Sequence, residues 1–164
     1  METLAELDLW ALLNEVPDPE VPVLSVTDLG VVRAARAEGE VAYITITPTY
    51  SGCPAMYAIE AGIKERLLAA GFARVEVQTV LTPAWTTDWL TAEGRRKLEE
   101  YGIAPPVEPL ADKGALFGRA AQVRCPQCKS MDTRMVSLFG STACKAMYQC
   151  NACLEPFDYF KCLR

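Results

Sequence analysis

Two pairs of cysteines near the C-terminus carry the clearest chemical pattern in the chain. Cys125 and Cys128 form one C-x2-C knuckle, and Cys150 and Cys153 form a second. A two-residue gap lets both thiolates of a knuckle reach one ion, and two knuckles close a tetrahedral four-thiolate site. The spacing therefore predicts a metal site. Zinc is the expected metal, with iron or a transient iron–sulfur cluster as the alternative, because four thiolates suit each of these.

Two further cysteines, Cys144 and Cys162, lie in the same region but outside the knuckles. Cys144 follows a glycine turn and precedes Lys145, whose positive charge would favour the thiolate. We therefore regard Cys144 as a candidate for binding a cofactor such as a transient cluster. The alternative for both cysteines is an inert buried thiol, since cysteine is a small apolar residue.

The seventh cysteine lies alone in the stretch TYSGCPAMY, Thr49 to Tyr57. Pro54 suits the first position of a helix, which would leave Cys53 at the N-cap. There the unpaired N–H groups and the helix dipole favour the thiolate, which is the nucleophilic and metal-binding form. Gly52 also permits close approach by a ligand. The alternative is that a small residue merely packs before the proline.

Two carboxylates, Asp18 and Glu20, flank a proline in the sequence DPE. One interpretation is a solvated turn that Asp18 caps. The other is a carboxylate pair held beside Cys53, where it could ligate iron or move a proton.

The chain contains no histidine, which excludes Ser-His-Asp and Cys-His catalysis and histidine-ligated metal sites within it. Charge is uneven, because residues 1–123 carry 10 basic and 18 acidic side chains whereas residues 124–164 carry 6 and 3. The acidic body argues against nucleic acid as a partner. The basic tail could dock on an acidic protein.

No apolar run approaches the roughly 20 residues that span a bilayer, and the acidic N-terminus does not resemble an export signal. We therefore expect no membrane association and a cytoplasmic protein with reduced cysteines.

The elements that must position these residues follow from periodicity and turn residues. The predicted order is helix, strand, strand, helix, strand, helix, which indicates an α/β fold of the α+β kind with helices packed on a small mixed sheet. The predicted bounds are 3–14, 31–35, 41–47, 54–70, 74–80 and a helix from 85 to 102 with a possible break near Gly94.

Composition divides the chain into three parts. Residues 1–104 form the α/β domain, residues 105–123 a linker rich in proline and glycine, and residues 124–164 a four-cysteine, zinc-ribbon-like domain. The last part is expected to be too short for a hydrophobic core of its own, so that its fold would depend on the metal.

Several stretches resemble known families. DPEVPVLSVTDLGVV and TPTYSGCPA are similar to the small α/β family of metal–sulfur cluster assembly and targeting factors, the SufT and cytosolic iron–sulfur targeting group. LTPAWTTDWLTAEGRRKLEEYGIAPP, RCPQCKS and FGSTACKAMYQCNACLEPFDYFKC resemble the PaaD family, which is grouped with the phenylacetyl-CoA epoxidase system. The resemblance implies that the knuckle cysteines bind the metal and that the candidate catalytic positions are Asp18, Glu20, Thr49 and Cys53.

The resemblance also implies a function. The chain would be an accessory maturation factor of the epoxidase that assists assembly or insertion of an iron–sulfur cluster or the di-iron centre. Its partners would be the oxygenase and reductase components or iron–sulfur assembly proteins, and a homodimer is a further option. Without histidine or a Glu-x-x-His pair the chain cannot be the oxygenase, and it lacks the glycine-rich fingerprint of a reductase.

Two alternatives stay open. The chain could be a structural adaptor subunit of the epoxidase complex with a purely structural zinc. It could also be an enzyme in which Cys53 attacks a thioester, although the absence of a histidine base weakens this hypothesis.

Overall fold

The computed structural model describes residues 8–50, 52–107 and 122–161. Contacts divide the chain after Gly94 into a first unit, which comprises the described residues 8–94, and a second unit, 95–161. The domain limits expected from composition, 1–104 and 124–164 with a linker between, remain a proposal. Across the described ranges, no helix is both long and apolar enough to cross a bilayer.

The first unit is a three-stranded sheet with helices. Its elements are α1 (Leu9–Leu13), β1 (Val32–Glu38), β2 (Val41–Ile46), α2 (Ala55–Ala69), β3 (Arg74–Thr79) and a 3-10 turn (Thr87–Trp89). The sheet order is β1-β2-β3, with β1 antiparallel and β3 parallel to β2. The parallel pair requires a crossover connection, and α2 supplies it.

The core of the first unit follows from two periodicities. In α2 the buried residues Ile59, Ile63 and Leu67 recur every four positions and so lie on one face of the helix. In β2 alternate residues are buried, and the buried set is Ala42, Ile44 and Ile46. This core confirms the mixed α+β class expected from the sequence.

The helix expected from residue 85 to residue 102 is two separate elements, the 3-10 turn and α3 (Ala92–Tyr101), and the unit division falls within α3. Two threonines explain the interruption. The hydroxyl of Thr86 accepts from the N–H of Asp88 at 3.1 Å, and that of Thr91 accepts from the N–H of Gly94 at 3.0 Å. Each threonine therefore caps its own helical segment, and Gly94 lies inside α3 rather than at a break.

The second unit contains a four-stranded sheet. Its strands are β4 (Ile103–Ala104), β5 (Thr133–Ser137), β6 (Lys145–Cys150) and β7 (Pro156–Phe160), in the order β4-β7-β6-β5. The β6–β7 and β5–β6 pairs are antiparallel, and β4 is parallel to β7.

The second unit has a small hydrophobic core, which the sequence analysis did not expect. Tyr148 is its centre, with ring centroids 5.9 Å from Phe157 and 5.4 Å from Tyr159. The cluster also takes in residues that precede the knuckles, namely Ala104 and Val123. The expectation was wrong because it counted only residues from 124 onward, whereas earlier residues also contribute to this core.

Candidate functional site

The four knuckle cysteines come together in the second unit. Cys150 ends β6, whereas Cys125, Cys128 and Cys153 lie in or beside the two turns. The four Sγ atoms all lie within 4.8 Å of one another. The Sγ atoms of Cys125 and Cys153 are 3.8 Å apart, and those of Cys128 and Cys150 are 3.5 Å apart. A zinc ion with bonds of about 2.3 Å to four tetrahedral sulfurs requires a sulfur separation of about 3.8 Å.

The two knuckles share a backbone geometry that wraps each turn around the sulfurs. The residue after each knuckle adopts the left-handed region, with φ of 66° at Lys129 and 67° at Leu154. In the first knuckle the N–H of Lys129 donates to the carbonyl of Cys125 at 3.0 Å. In the second, the N–H of Cys153 donates to the sulfur of Cys150 at 3.4 Å. The donor set and its geometry fit a four-cysteine zinc site.

Electrostatics at these sulfurs also favour a bound cation. The backbone N–H of Cys153 is the main cause that lowers the pKa of the Cys150 thiol to about 7. The N–H of Glu155 acts to lower the pKa of Cys153, but burial and the adjacent cysteine sulfurs outweigh it and raise that pKa to about 12. Four sulfurs this close cannot all be thiolates on their own. A divalent cation would offset the repulsion and hold all four in the anionic form.

Glu99 on α3 holds the first knuckle from both flanks. Its Oε1 accepts from Nη2 of Arg124 at 2.9 Å and from Nζ of Lys129 at 2.8 Å. Nζ of Lys129 also donates to the carbonyl of Pro126 at 2.8 Å. The hydrogen bond from Lys129 is the main cause that holds the pKa of Glu99 below its ordinary value, with Arg124 adding to it. The carboxylate thus links the residues just before and just after Cys125 and Cys128.

We expect Glu99→Gln to release zinc faster than the unchanged protein, because the amide carries no charge to hold Arg124 and Lys129. Two partly exposed ion pairs predict an acceleration of about fivefold, equivalent to roughly 1 kcal/mol. The measurement is the rate of zinc transfer to a chromogenic chelator at pH 7.5. Since salt screens such pairs, the difference should shrink in 1 M NaCl.

Glu100→Gln is the matched control for this prediction. Glu100 is the next residue of the same helix, but it pairs with Arg96 one turn away and not with the knuckle. Zinc release from this variant should match that of the unchanged protein. Equal acceleration in both variants would show that helix α3, and not the contact with the knuckle, sets the rate.

The structure brings Thr49 and Cys53 together in the first unit. The hydroxyl of Thr49 lies 3.9 Å from Sγ of Cys53, in hydrogen-bonding geometry for sulfur, and Cys53 is only 7% exposed. Helix α2 begins at Ala55, so that Pro54 holds the N-cap position expected for Cys53. The carbonyl of Cys53 accepts from the N–H of Met56 at 3.3 Å, which keeps the cysteine at the start of the first turn. The shift by one position lies within the ordinary uncertainty of helix ends.

Asp18 and Glu20 occupy a turn that Asp18 itself stabilises. Asp18 is buried, and its Oδ1 accepts from the N–H groups of Glu20 at 2.9 Å and Val21 at 2.7 Å. These bonds support the interpretation of Asp18 as a turn cap. In the part of the chain that the structure describes, the four knuckle cysteines are the only group of three or more such residues with metal-binding spacing. Asp18, Glu20 and Cys53 therefore do not form a three-ligand site.

Cys144 lies away from the four-cysteine centre. It directly precedes β6 while Cys150 ends that strand, and the six-residue separation corresponds to about 20 Å. Cys144 is buried, and its Sγ lies 3.0 Å from the hydroxyl of Thr142. Its role in cofactor binding therefore remains a prediction, and Cys162 lies outside the described residues.

Sequence reasoning missed two contributors to the centre, Glu99 and Lys129. Lys129 could have been found, because the residue after each C-x2-C pair must turn the chain around the ion. Glu99 gave no local signal, since its partners lie 25 and 30 residues away.

Comparison with known proteins gives two family models and a close relative. The model described as iron-sulfur cluster assembly protein matches residues 6–79, and that of the PaaD zinc beta ribbon domain matches residues 110–161. A protein of Escherichia coli (strain K12) whose name makes it a subunit of 1,2-phenylacetyl-CoA epoxidase is 51% identical over 156 residues. The match covers 95% of this chain and 92% of that protein.

Two solved structures resemble part of the chain. A domain of unknown function, DUF59, from Bacillus anthracis has a TM-score of 0.51 at 30% identity and covers 55% of this chain and 87% of its own. A conserved hypothetical protein from Thermotoga maritima has a TM-score of 0.50 at 26% identity, with coverage of 60% and 97%.

Proposed function

The chain belongs to the PaaD family of 1,2-phenylacetyl-CoA epoxidase proteins, and from this premise we propose that it is an accessory maturation factor of such an epoxidase. In this role it assists the assembly or insertion of an iron–sulfur cluster or of the di-iron centre. Its partners are the oxygenase and reductase components or iron–sulfur assembly proteins, and we propose the cytoplasm as its location.

One observation carries this proposal, the Thr49–Cys53 contact at the start of α2. It lies inside residues 6–79, which match the iron-sulfur cluster assembly family. The hydroxyl of Thr49 can donate to a thiolate at Cys53, and the unpaired N–H groups at the helix start lie nearby. Both interactions favour the anionic, metal-binding form of a sulfur.

We propose distinct roles for the residues of this site. Cys53 contacts the cargo, which is iron or a cluster, and on binding it the thiol proton passes to solvent. Thr49 orients the sulfur by its hydrogen bond. Asp18 fixes the turn that carries Glu20, and Glu20 supplies a carboxylate for iron or for a proton. The four-cysteine centre holds a structural zinc that folds the second unit.

The alternative proposal is a structural adaptor subunit. It is favoured by the zinc-ribbon match at residues 110–161, because a zinc-stabilised sheet needs no cargo to serve as a docking module. The two proposals differ at Cys53, which an adaptor would not need.

We expect Cys53→Ser to abolish maturation and to leave the fold nearly intact, since serine has almost the same size and the backbone bonds of Cys53 stay in place. Cells with this variant should make all epoxidase subunits yet epoxidise phenylacetyl-CoA at a tenth of the normal rate or less, taking roughly 1.4 kcal/mol as the smallest effect of losing a metal ligand. The measurements are activity in cells and iron and labile sulfide in the purified epoxidase.

Cys144→Ser is the matched control, as it changes another buried thiol and should leave epoxidase loading unchanged. Purified epoxidase that already holds its metals should also turn over without this chain. If loaded components need the chain at every turnover, or if Cys53→Ser gives fully loaded epoxidase, the adaptor proposal replaces the maturation proposal.

A further inference from the structure

An exposed apolar surface occupies the β5–β6 hairpin of the second unit. In the described residues, half of the twelve large apolar side chains that are exposed lie between residues 131 and 147. The most prominent are Val136 and Leu138, each 54% exposed, and Phe139, 64% exposed. We call the following set the hairpin surface: Met135, Val136, Leu138, Phe139 and Met147. Surfaces of this kind mark sites of interaction.

The hairpin surface lies on the edge strand of its sheet. Within the described chain β5 pairs only with β6, and the residues from Arg134 to Ser137 are all exposed. A register shift between Met135 and Ser137 bends the strand at Val136. The strand therefore presents apolar side chains outward rather than only toward its own core.

Hydrogen bonds fix the tip of the hairpin in one conformation. The N–H of Gly140 donates to the carbonyl of Lys145 at 2.7 Å, and the hydroxyl of Ser137 donates to the carbonyl of Phe139 at 2.8 Å. Nζ of Lys161 donates to the carbonyl of Leu138 at 3.0 Å and lies 4.5 Å from the ring centroid of Phe139. A tip held in this way binds a partner at a small entropic cost.

The charges around the hairpin surface indicate the chemistry of its partner. The eighteen residues from Thr133 to Cys150 include Arg134 and Lys145 but no Asp or Glu. Lys145 is buried 3.8 Å from Asp158, so Arg134 and Lys161 are the cations that flank the surface. Residues 1–123, by contrast, carry 18 acidic side chains against 10 basic ones. The complementary partner is thus an apolar protein surface with a carboxylate rim.

We propose that the hairpin surface docks on an apolar, acid-rimmed surface of another epoxidase subunit. This inference rests on the proposed function and adds the place of contact. A second copy of the chain fits less well. Contact between two hairpins would bring like charges together, and contact of a hairpin with an acidic first unit would be head-to-tail, which forms open chains unless a ring closes.

The test measures binding of the full chain to each purified epoxidase subunit, immobilised in 0.1 M NaCl. Phe139→Ser and Leu138→Ser should each weaken the Kd for one subunit by about 30-fold, as expected for central apolar anchors. Tyr101→Ser is the matched control, since Tyr101 is 66% exposed in the same unit but outside the hairpin, and its Kd should not change. Arg134→Gln should chiefly slow association and reduce the salt dependence of binding.

The zinc content of each variant shows that the second unit is folded. Unchanged affinity in zinc-loaded Phe139→Ser and Leu138→Ser overturns the docking proposal, as does a wild-type chain that binds no subunit. A dimer that dissociates in Phe139→Ser would identify a second copy as the occupant and would also overturn it. The maturation proposal fails separately, if Cys53→Ser gives fully loaded epoxidase while hairpin binding is retained.

Discussion

Chelation of the metal from the four-cysteine centre is expected to unfold the second unit while the first unit stays folded. A structural zinc site contributes about 10 kcal/mol or more to folding. A whole domain is stable by only about 5–15 kcal/mol, and the core around Tyr148 is small. The first unit has no cysteine in the centre and has its own core of Ile44, Ile59 and Ile63. Loss of the metal should therefore act on the second unit alone.

The positions of the aromatic residues make the two units separately observable. All three tryptophans, Trp10, Trp85 and Trp89, lie in the first unit. After treatment with chelator and reductant, tryptophan fluorescence should keep its folded value. Amide exchange in β6 and β7 should become fast, and protease should cleave the second unit first. Loss of both signals together would show that the two units fold as one.

Cys153→Ser should reproduce the effect of chelation, because one lost ligand opens the tetrahedral site. Cys144→Ser is the matched control in the same unit, since its sulfur lies beside Thr142 and outside the centre. We expect one zinc per chain in Cys144→Ser and almost none in Cys153→Ser after dialysis. Full zinc binding by Cys153→Ser would exclude Cys153 as a ligand.

Local patterns predicted the elements that depend on local physics. The repeat of Ile59, Ile63 and Leu67 gave α2, and the alternation from Val41 to Ile46 gave β2, because burial of one face fixes each period. The two C-x2-C pairs predicted the four-cysteine cluster, since two residues are what a knuckle needs to chelate.

Contacts between distant residues were not predictable from the sequence. The short strand β4 pairs with β7, whose sequence lies more than 50 residues away, and two residues are too few to show a period. The ion pairs of Glu99 likewise depend on where α3 lies against the first knuckle. The Thr49–Cys53 contact was expected only from family resemblance, and the distance between the two side chains is set by the loop before α2.

Gly30→Ala is expected to destabilise the first unit by about 3 kcal/mol or more, from backbone strain and overpacking together. Gly30 has φ of 75°, a conformation that disfavours any Cβ. An added Cβ would also lie 2.8 Å from Cβ and 2.9 Å from the carbonyl carbon of Trp89, and still closer to its carbonyl oxygen. Trp89 cannot easily move, because its ring packs 3.6 Å from the Arg33 guanidinium and its N–H donates to the carbonyl of Thr86 at 3.1 Å.

Gly39→Ala separates the two causes of this destabilisation. Gly39 has a similar φ of 61°, but no atom lies within 4 Å of an added Cβ, so only the backbone strain applies. We expect this variant to lose about 1–2 kcal/mol. Urea unfolding followed by tryptophan fluorescence reports on the first unit and gives both values. If the two variants lose equal stability, the segment around Trp89 yields to the added methyl group, and the close approach of Gly30 to Trp89 does not constrain the fold.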